Sequence, residues 1–297
     1  MSGPTSPDFL IVGAMKAGTT TLWQDLLLND AVFFPIDKEP GSLTRDEILS
    51  EPGRQQYAAL FAAARKDQVC GEASTTYTKM PDITGCAERA RRVIGERLKV
   101  IYVVREPVSR VISQHHHECT DGGMTGDIDA AVREHPRLIN YSRYAMQIRP
   151  WIDTFGPQAV RIVRFEDYVA DRRSIVADLS RFLGVEPRVE QIDVTAAYNR
   201  SRDKPVGPQW WLRVARARWY RRMVRPMMSH DMRQAIRRKV LWRVPEVLAP
   251  PSRETVAFII SQVQDDVLEL QHVAGAAQPF WDLSHVAERH ATAHGHP

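Results

Sequence analysis

Hydrophobic residues fall along the chain in short apolar runs that are separated by stretches with helical spacing. The runs at 9–12 and 98–104 have the length of strands, and unbroken apolar runs are typical of strands buried on both faces. Residues 31–35 and the alternating stretch 159–165 predict two further strands. Apolar positions recur at helical spacing elsewhere, most extensively over 253–272. The pattern predicts a single α/β domain with a central parallel β-sheet flanked by helices.

The first apolar run leads into a loop that is bounded by two glycines. Gly13 and Gly18 are followed by threonines at 19–21 and then by a helical pattern, and backbone N–H groups at such a helix start bind anions. The spacing nearly matches the nucleotide-binding pattern G-x-x-x-x-G-K-[ST], but Thr19 occupies the lysine position and Lys16 comes three residues earlier. In a nucleoside triphosphatase, lysine acts with a hydroxyl that ligates magnesium. A sulfuryl group carries less charge and can be transferred without a metal.

A second turn from strand to helix carries further candidate anion ligands. Arg105 ends the run at 98–104, Pro107 suits the first turn of a helix, and Ser113 follows about two turns later. An arginine there can hold a phosphate through paired charge-assisted hydrogen bonds, and a serine hydroxyl can add a donor. An ordinary turn with surface arginines is the competing interpretation. The presence of both motifs in this order favours a phosphate site.

These two motifs resemble signatures of sulfotransferases that use 3′-phosphoadenosine 5′-phosphosulfate, especially the heparan-sulfate-type and related bacterial branch. The resemblance covers about residues 8–283 and implies a P-loop-like sulfotransferase fold. It implies that the 5′-phosphosulfate of the donor lies on Lys16, Ala17, Gly18, Thr19, Thr20 and Thr21. It also implies that Arg105 and Ser113 bind the 3′-phosphate and that Lys16 stabilises the leaving oxygen. Adenosine 3′,5′-bisphosphate would be the product, with no metal required.

The general base is expected on the loop that follows the first helix. A K-E-P segment in the resembled branch carries the base, which gives that role to Glu39 here, although Lys38 and Glu39 could instead form an exposed charge pair. Glu72, in a segment resembling G-E-K-[ST]-P, is a second candidate base, and a structural role for it is an equal alternative. Ala73 replaces the lysine of that segment and Gly41 a residue of the acceptor pocket, which argues against a heparan-like acceptor.

Three adjacent histidines lie on the predicted helix after Pro107. Consecutive helical side chains point about 100° apart, so these three cannot ligate one metal ion. His116 and His117 are candidate contacts of the acceptor and could assist proton transfer. A solvated helix face is the competing interpretation.

Composition fits a globular protein and restricts its partners. Forty basic and thirty-six acidic side chains leave a formal net charge of +4, which suits an enzyme for anionic nucleotides and does not imply nucleic-acid binding. The three cysteines lack a zinc or disulfide spacing. No apolar run of roughly eighteen residues and no signal-peptide pattern occurs, so a cytoplasmic enzyme of bacterial type is expected, with no transmembrane segment. A small-molecule or glycan hydroxyl, on a carbohydrate, glycolipid or natural product, is the expected acceptor.

The sequence also predicts how the chain is divided into segments. We expect a flexible N-terminus at 1–7, the sulfotransferase domain at 8–283, and a disordered tail at 284–297. An insert at about 205–245, whose arginine-rich part is 213–239, is interpreted as a flap over the nucleotide.

Two rival functions are considered. A P-loop kinase or nucleoside triphosphatase would depend on magnesium, and a non-catalytic anion-binding module would bind without turnover. The identity of the acceptor and the oligomeric state stay open.

Overall fold

The computed structural model of the protein describes residues 6–36, 38–120, 123–124, 126–195 and 248–292. Within these ranges one parallel sheet is formed by β1 Phe9–Gly13, β2 Val32–Phe33, β3 Val69–Ala73, β4 Lys99–Val104 and β5 Val160–Arg164, in the order β2-β3-β1-β4-β5. Phe9 pairs with Gly71 of β3 and with Lys99 of β4. The predicted parallel sheet is therefore confirmed, together with its apolar strands.

Helices flank this sheet. They are α1 Thr19–Leu27, α2 Glu51–Ala59, α3 Cys86–Val93, α4 Pro107–Thr120, α5 Ile128–Glu134, α6 Arg137–Asn140, α7 Tyr144–Phe155, α8 Phe165–Ala170, α9 Arg172–Leu183, α10 Arg253–Val273 and α11 Leu283–Thr292. Short 3₁₀ turns occur at Ser42–Thr44, Asp46–Leu49, Thr75–Thr78 and Pro157–Ala159. The helical pattern at 253–272 is confirmed as α10.

The strand order places a crevice at the carboxyl end of the central strand. The chain passes from β1 to β2 and β3 on one side, and then crosses to β4 and β5 on the other. In open parallel sheets, ligands bind where the connections diverge in this way. The loops after β1, β3 and β4 therefore meet at one edge of the sheet.

A buried ion pair ties α1 to the rest of the domain. Asp25 of α1 accepts hydrogen bonds from Arg172 of α9 at 2.6 and 3.0 Å, and from the hydroxyl of Tyr168. Asp25 and Arg172 are almost fully buried, where a charged group is tolerated only when it is paired. The pair fixes the helix that begins at the glycine-bounded loop.

The prediction of a disordered tail is wrong for residues 284–292, because they form α11. Asp282 accepts hydrogen bonds from the N–H groups of Ser284 and His285 at 2.9 and 3.2 Å, and Val286 is buried. The helix packs on α10. The segment was predicted to be disordered because its side chains are polar. The residues that they contact are distant in sequence, so the sequence did not reveal those contacts.

Some sequence predictions concern residues outside the described ranges. These are the insert at 205–245 with its arginine-rich part at 213–239, most of the N-terminal segment, and residues 293–297. Among the described helices none is long and apolar enough to cross a membrane. Likewise, His, Cys, Asp and Glu side chains form no metal-binding cluster within the described ranges.

Candidate functional site

The loop after β1 wraps closely around its two glycines. A Cβ atom on Gly13 would lie 2.0 Å from Oγ1 of Thr78, which donates a hydrogen bond to the carbonyl of Val12. Gly18 has φ +88°, and a Cβ atom there would lie 2.6 Å from the ring of Phe165. Gly13 is required because a side chain would have no space there. Gly18 is required for the same reason, and also because its backbone adopts a left-handed conformation.

A threonine-rich helix start follows this loop. Gly18 precedes α1, whose first residues are the three threonines 19–21, and its first turn has no acidic side chain. Lys16 is half-buried and has φ +68°, a left-handed conformation that costs a lysine about 1–2 kcal/mol. Backbone strain of this kind concentrates at functional sites. The loop thus joins the N-terminus of a helix with a strained lysine.

Arg105 lies against the same loop. Its Nη1 donates a hydrogen bond to the carbonyl oxygen of Lys16 at 3.1 Å, and its guanidinium lies 4.9 Å from the ring centre of Phe165. The hydroxyl of Tyr144 donates to the carbonyl oxygen of Arg105 at 2.6 Å. Ser113 is half-buried further along α4. The structure therefore brings the two predicted anion motifs together through Arg105.

Phe165 lies beside this loop, although the sequence analysis placed it only at the end of a predicted strand. Its ring contacts Arg105 and occupies the space that a side chain at Gly18 would need. The available signal was its place directly after β5, at the same sheet edge as the other motifs. Phe165 fixes the position of the guanidinium relative to the loop.

Glu39 is held at the end of β3. Its carboxylate accepts hydrogen bonds from the N–H of Thr75 at 3.2 Å and from Oγ1 of Thr75 at 3.0 and 3.1 Å. Its own N–H donates to the carbonyl of Ala73 at 2.9 Å. Nζ of Lys38 lies 2.8 Å from Oε1 of Glu39, so the alternative charge pair is also present. Glu39 nevertheless keeps about a third of its side chain exposed, at 35%.

Glu72 has a different environment from Glu39. It is 1% exposed and accepts hydrogen bonds from the hydroxyls of Tyr57 and Tyr77, each at 2.5 Å, and of Ser74 at 2.8 Å. Burial raises the pKa of Glu72, and the three hydroxyl donors oppose that rise. Of the two roles that the sequence left open, this geometry favours the structural one.

A cleft of about 350 Å³ adjoins the glycine-bounded loop. Its wall contains Met15, Lys79, His117, Glu118, Gly123, Arg137 and Tyr141. Met15 directly precedes Lys16, which places the cleft beside the candidate anion site. His117 is part of the wall, whereas His116 is half-buried on the same helix and is not.

Charged groups surround this cleft. Arg137 and Glu118 form an ion pair at 2.7 Å, and Nε2 of Gln114 donates to Glu118 at 2.6 Å. Burial lowers the pKa of Lys79, while the carboxylates of Glu39 and Glu118 act to raise it. Lys79 therefore lies within electrostatic reach of Glu39, which connects the cleft to the candidate base.

Of the residues in this cleft wall, the sequence analysis had singled out only His117. Lys79 lies 5.8 Å from the ring centre of Tyr141, and Arg137 faces the same space. Lys79 follows the segment around Glu72 that resembles G-E-K-[ST]-P, which was an available signal. Arg137 and Tyr141 come from a separate helix and its end, and no sequence motif marked them.

Comparisons with known proteins give the family and the fold of the chain. The sequence pattern of the sulfotransferase domain matches residues 6–212. Human carbohydrate sulfotransferase 15 is 22% identical, over 69% of this chain and 49% of the relative, and its mouse counterpart is 23% identical over the same shares. The chain spans about half the length of the curated relatives it matches. A solved sulfotransferase from Alicyclobacillus acidocaldarius shares the fold, with a TM-score of 0.60 and 23% identity over 92% of this chain and 97% of that chain.

Proposed function

Because the chain belongs to the sulfotransferase domain family, we propose that it moves a sulfuryl group from 3′-phosphoadenosine 5′-phosphosulfate to a carbohydrate hydroxyl. The observation that carries the proposal is the hydrogen bond from Arg105 to the carbonyl of Lys16. This contact joins two anion-binding motifs at one edge of the sheet. A donor with a phosphosulfate and a separate 3′-phosphate requires two such motifs.

The donor is assigned to the start of α1 and to the turn at Arg105. The first turn of α1, with Thr19, Thr20 and Thr21, would hold the 5′-phosphosulfate through N–H and hydroxyl donors. Arg105 lies against the same loop, and its planar guanidinium suits charge-assisted hydrogen bonds to the 3′-phosphate. Ser113 would add its hydroxyl. Phe165 supports this assignment by orienting the guanidinium.

The proposed reaction is an in-line displacement at sulfur. The acceptor oxygen forms a bond to sulfur while the bond between sulfur and the bridging phosphate oxygen breaks, releasing adenosine 3′,5′-bisphosphate. Glu39 takes the proton of the acceptor hydroxyl, and Thr75 holds its carboxylate for that step. Lys16 stabilises the negative charge that develops on the bridging oxygen.

The cleft beside Met15 is the proposed acceptor site. Its wall offers the charged groups of Glu118 and Arg137, which can hydrogen-bond to sugar hydroxyls, and the ring of Tyr141, which can pack on a sugar face. A flat apolar acceptor would need a largely apolar wall instead. The carbohydrate sulfotransferases among the relatives support the same acceptor class. Cytoplasmic placement stays a prediction.

We expect Lys79→Ala to weaken acceptor use selectively. Removing the ammonium should raise KM for an oligosaccharide about tenfold and leave the affinity for adenosine 3′,5′-bisphosphate unchanged. The measurement is sulfate transfer to neutral and carboxylated oligosaccharides and to 4-nitrophenol. Lys66→Ala, at an exposed position, is the matched control. Transfer to 4-nitrophenol alone would contradict a carbohydrate acceptor.

The donor assignment predicts that Arg105→Ala removes selectivity for a 3′-phosphate. Its affinity for adenosine 3′,5′-bisphosphate should fall about 10- to 100-fold, as expected for a lost charge-assisted hydrogen-bond pair. Its affinity for adenosine 5′-monophosphate should change little. Calorimetric titration of both nucleotides, with and without magnesium, provides the test.

The same titration separates the proposed function from its rivals. Tight binding of the bisphosphate without magnesium, lost in Arg105→Ala, is the result expected for a sulfotransferase. Preferred binding of ATP with magnesium would instead indicate a phosphoryl transferase. Absence of nucleotide binding in the wild-type chain would overturn the donor assignment.

A further inference from the structure

A buried carboxylate in the sheet is linked by hydrogen bonds to the loop that carries the proposed base. Glu72 lies in β3, which is paired with strands on both sides, so its backbone is fixed. Its Oε1 accepts hydrogen bonds from the hydroxyls of Ser74 at 2.8 Å and of Tyr77 at 2.5 Å. Ser74 and Tyr77 are themselves buried. Glu72 therefore holds two hydroxyl groups in defined positions.

The same two hydroxyls also bind the loop that follows Glu39. The N–H of Gly41 donates to Oγ of Ser74 at 3.1 Å, and the N–H of Leu43 donates to the hydroxyl of Tyr77 at 3.2 Å. Each hydroxyl has a single proton, which Oε1 of Glu72 accepts, so the hydroxyl oxygen is the acceptor for the loop N–H. Two chains of hydrogen bonds therefore run from the loop to Glu72.

The backbone at Glu39 requires this kind of support. Glu39 has φ +65°, a left-handed conformation that is strained for a glutamate. A strained residue keeps its conformation only where the surrounding structure fixes it. Pro40 joins Glu39 to Gly41, and its ring prevents rotation about φ. A displacement of Gly41 is therefore transmitted to Glu39.

The residues on either side of Ser74 hold Glu39 directly. The carbonyl of Ala73 accepts a hydrogen bond from the N–H of Glu39, and Thr75 donates to its carboxylate through both N–H and Oγ1. The end of β3 thus binds this loop at Glu39 and again beyond it, at Gly41. Contacts on both sides of Pro40 leave the loop one position relative to the sheet.

We infer that Ser74 and Tyr77 are positioning residues for Glu39. With Glu72 as their common acceptor, they fix the loop after Glu39, and the loop in turn fixes the carboxylate that takes the proton of the acceptor hydroxyl. The two hydroxyls act through the loop backbone and transfer no proton in the reaction. The inference rests on the proposed function, because it assumes that Glu39 is the base.

Removing either hydroxyl should slow the reaction without weakening donor binding. We expect Ser74→Ala and Tyr77→Phe each to lower kcat for an oligosaccharide acceptor about tenfold, because a small displacement of a catalytic group is costly. Kd for adenosine 3′,5′-bisphosphate, measured by calorimetry on the full chain, should stay within about twofold of wild type. Phenylalanine keeps the ring that lies 6.3 Å from that of Trp151, so Tyr77→Phe should fold.

Tyr57→Phe is the matched control. Tyr57 donates to Oε2 of Glu72 at 2.5 Å, the same distance as Tyr77 to Oε1, and its ring lies 5.5 Å from that of Phe61. It lies in α2, and its hydroxyl binds Glu72 without binding the loop. Tyr57→Phe should therefore lower the midpoint temperature of unfolding about as much as Tyr77→Phe, and its kcat should stay within about twofold of wild type.

Amide hydrogen exchange tests the position of the loop without any substrate. The N–H of Gly41 should exchange about tenfold faster in Ser74→Ala, and the N–H of Leu43 about tenfold faster in Tyr77→Phe. Neither rate should change in Tyr57→Phe. Faster exchange with wild-type kcat would show that the hydroxyls hold the loop but do not serve the base, which refutes the inference.

A double-variant cycle links the effect to Glu39. In a Glu39→Gln background the base is absent, so Tyr77→Phe should lower the remaining kcat by less than about twofold. The remaining transfer is measured with a radiolabelled donor. An equal loss of kcat in both backgrounds would mean that Tyr77 supports the site in some other way, and this also refutes the inference.

The outcomes separate this inference from the proposed function. Wild-type kcat in both Ser74→Ala and Tyr77→Phe refutes the inference while leaving the proposed reaction intact. An equal loss of kcat in Tyr57→Phe refutes it as well, because the network would then only support the fold. Full turnover in Glu39→Gln, or no sulfate transfer by the wild-type chain, refutes the proposed function, and the inference fails with it.

Discussion

Lys16→Gly is expected to lower kcat about 10²- to 10³-fold without destabilising the protein, because the lysine supplies charge where the bridging oxygen becomes negative. At φ +68° the lysine backbone is strained by about 1–2 kcal/mol, and glycine adopts this conformation freely. Relief of that strain offsets the larger entropy that glycine loses on folding, about 0.5–1 kcal/mol. The midpoint temperature of thermal unfolding should therefore change by only about 2 °C.

Turnover and thermal unfolding of Lys16→Gly are measured on the same preparation. Lys66→Gly, at an exposed lysine, is the matched control and should retain turnover. Affinity for adenosine 3′,5′-bisphosphate should remain measurable in Lys16→Gly, because Arg105 and the N–H groups of α1 are intact. Wild-type turnover in a folded Lys16→Gly would remove the lysine from the mechanism.

Glu39→Gln is expected to lower kcat about 10²- to 10⁴-fold, the range for loss of a general base. The amide has the shape of the carboxylate and can still accept a hydrogen bond from Thr75, so the loop should keep its position. Donor affinity should be unchanged, since the loop at 16–21 and Arg105 do not depend on this carboxylate. The measurement is kcat and KM with a fixed oligosaccharide acceptor.

A neighbouring carboxylate provides the control for Glu39. Glu47→Gln removes an exposed charge from the same connection between β2 and β3 and should keep wild-type kcat. Undiminished turnover in Glu39→Gln would exclude Glu39 as the base, and His117 in the cleft wall would be the next residue to replace. A loss of donor affinity instead of kcat would assign Glu39 to binding.

Local sequence patterns were sufficient to predict the secondary-structure elements and the candidate donor-binding motifs. Unbroken apolar runs predicted strands at β1 and β4, because only a strand covered on both faces tolerates them. Gly13 and Gly18 predicted a tight loop, and the structure adds the neighbours that leave no room for a side chain. These features depend on residues close in sequence, so they can be read without knowing the fold.

Two sequence alternatives required the tertiary structure. Glu39 and Glu72 are both carboxylates near β3, and their sequence context did not separate a base from a structural acceptor. Packing distinguishes their environments, because Glu39 keeps 35% of its side chain exposed while Glu72 is 1% exposed and enclosed by three hydroxyls. A hydroxyl donor such as Tyr57 lies in another element, so no local sequence pattern predicts its hydrogen bond to Glu72.

The sequence by itself determined the parallel α/β architecture, the loop at 16–21 and the candidate roles of Arg105 and Glu39. Only the tertiary structure decided that Arg105 contacts this loop, that Lys79 and Arg137 share a cleft, and that α11 forms. The physical reason is the range of the interactions. Strand burial and loop conformation follow from neighbouring residues, whereas ion pairs such as Arg289 with Glu106 join positions far apart in the chain.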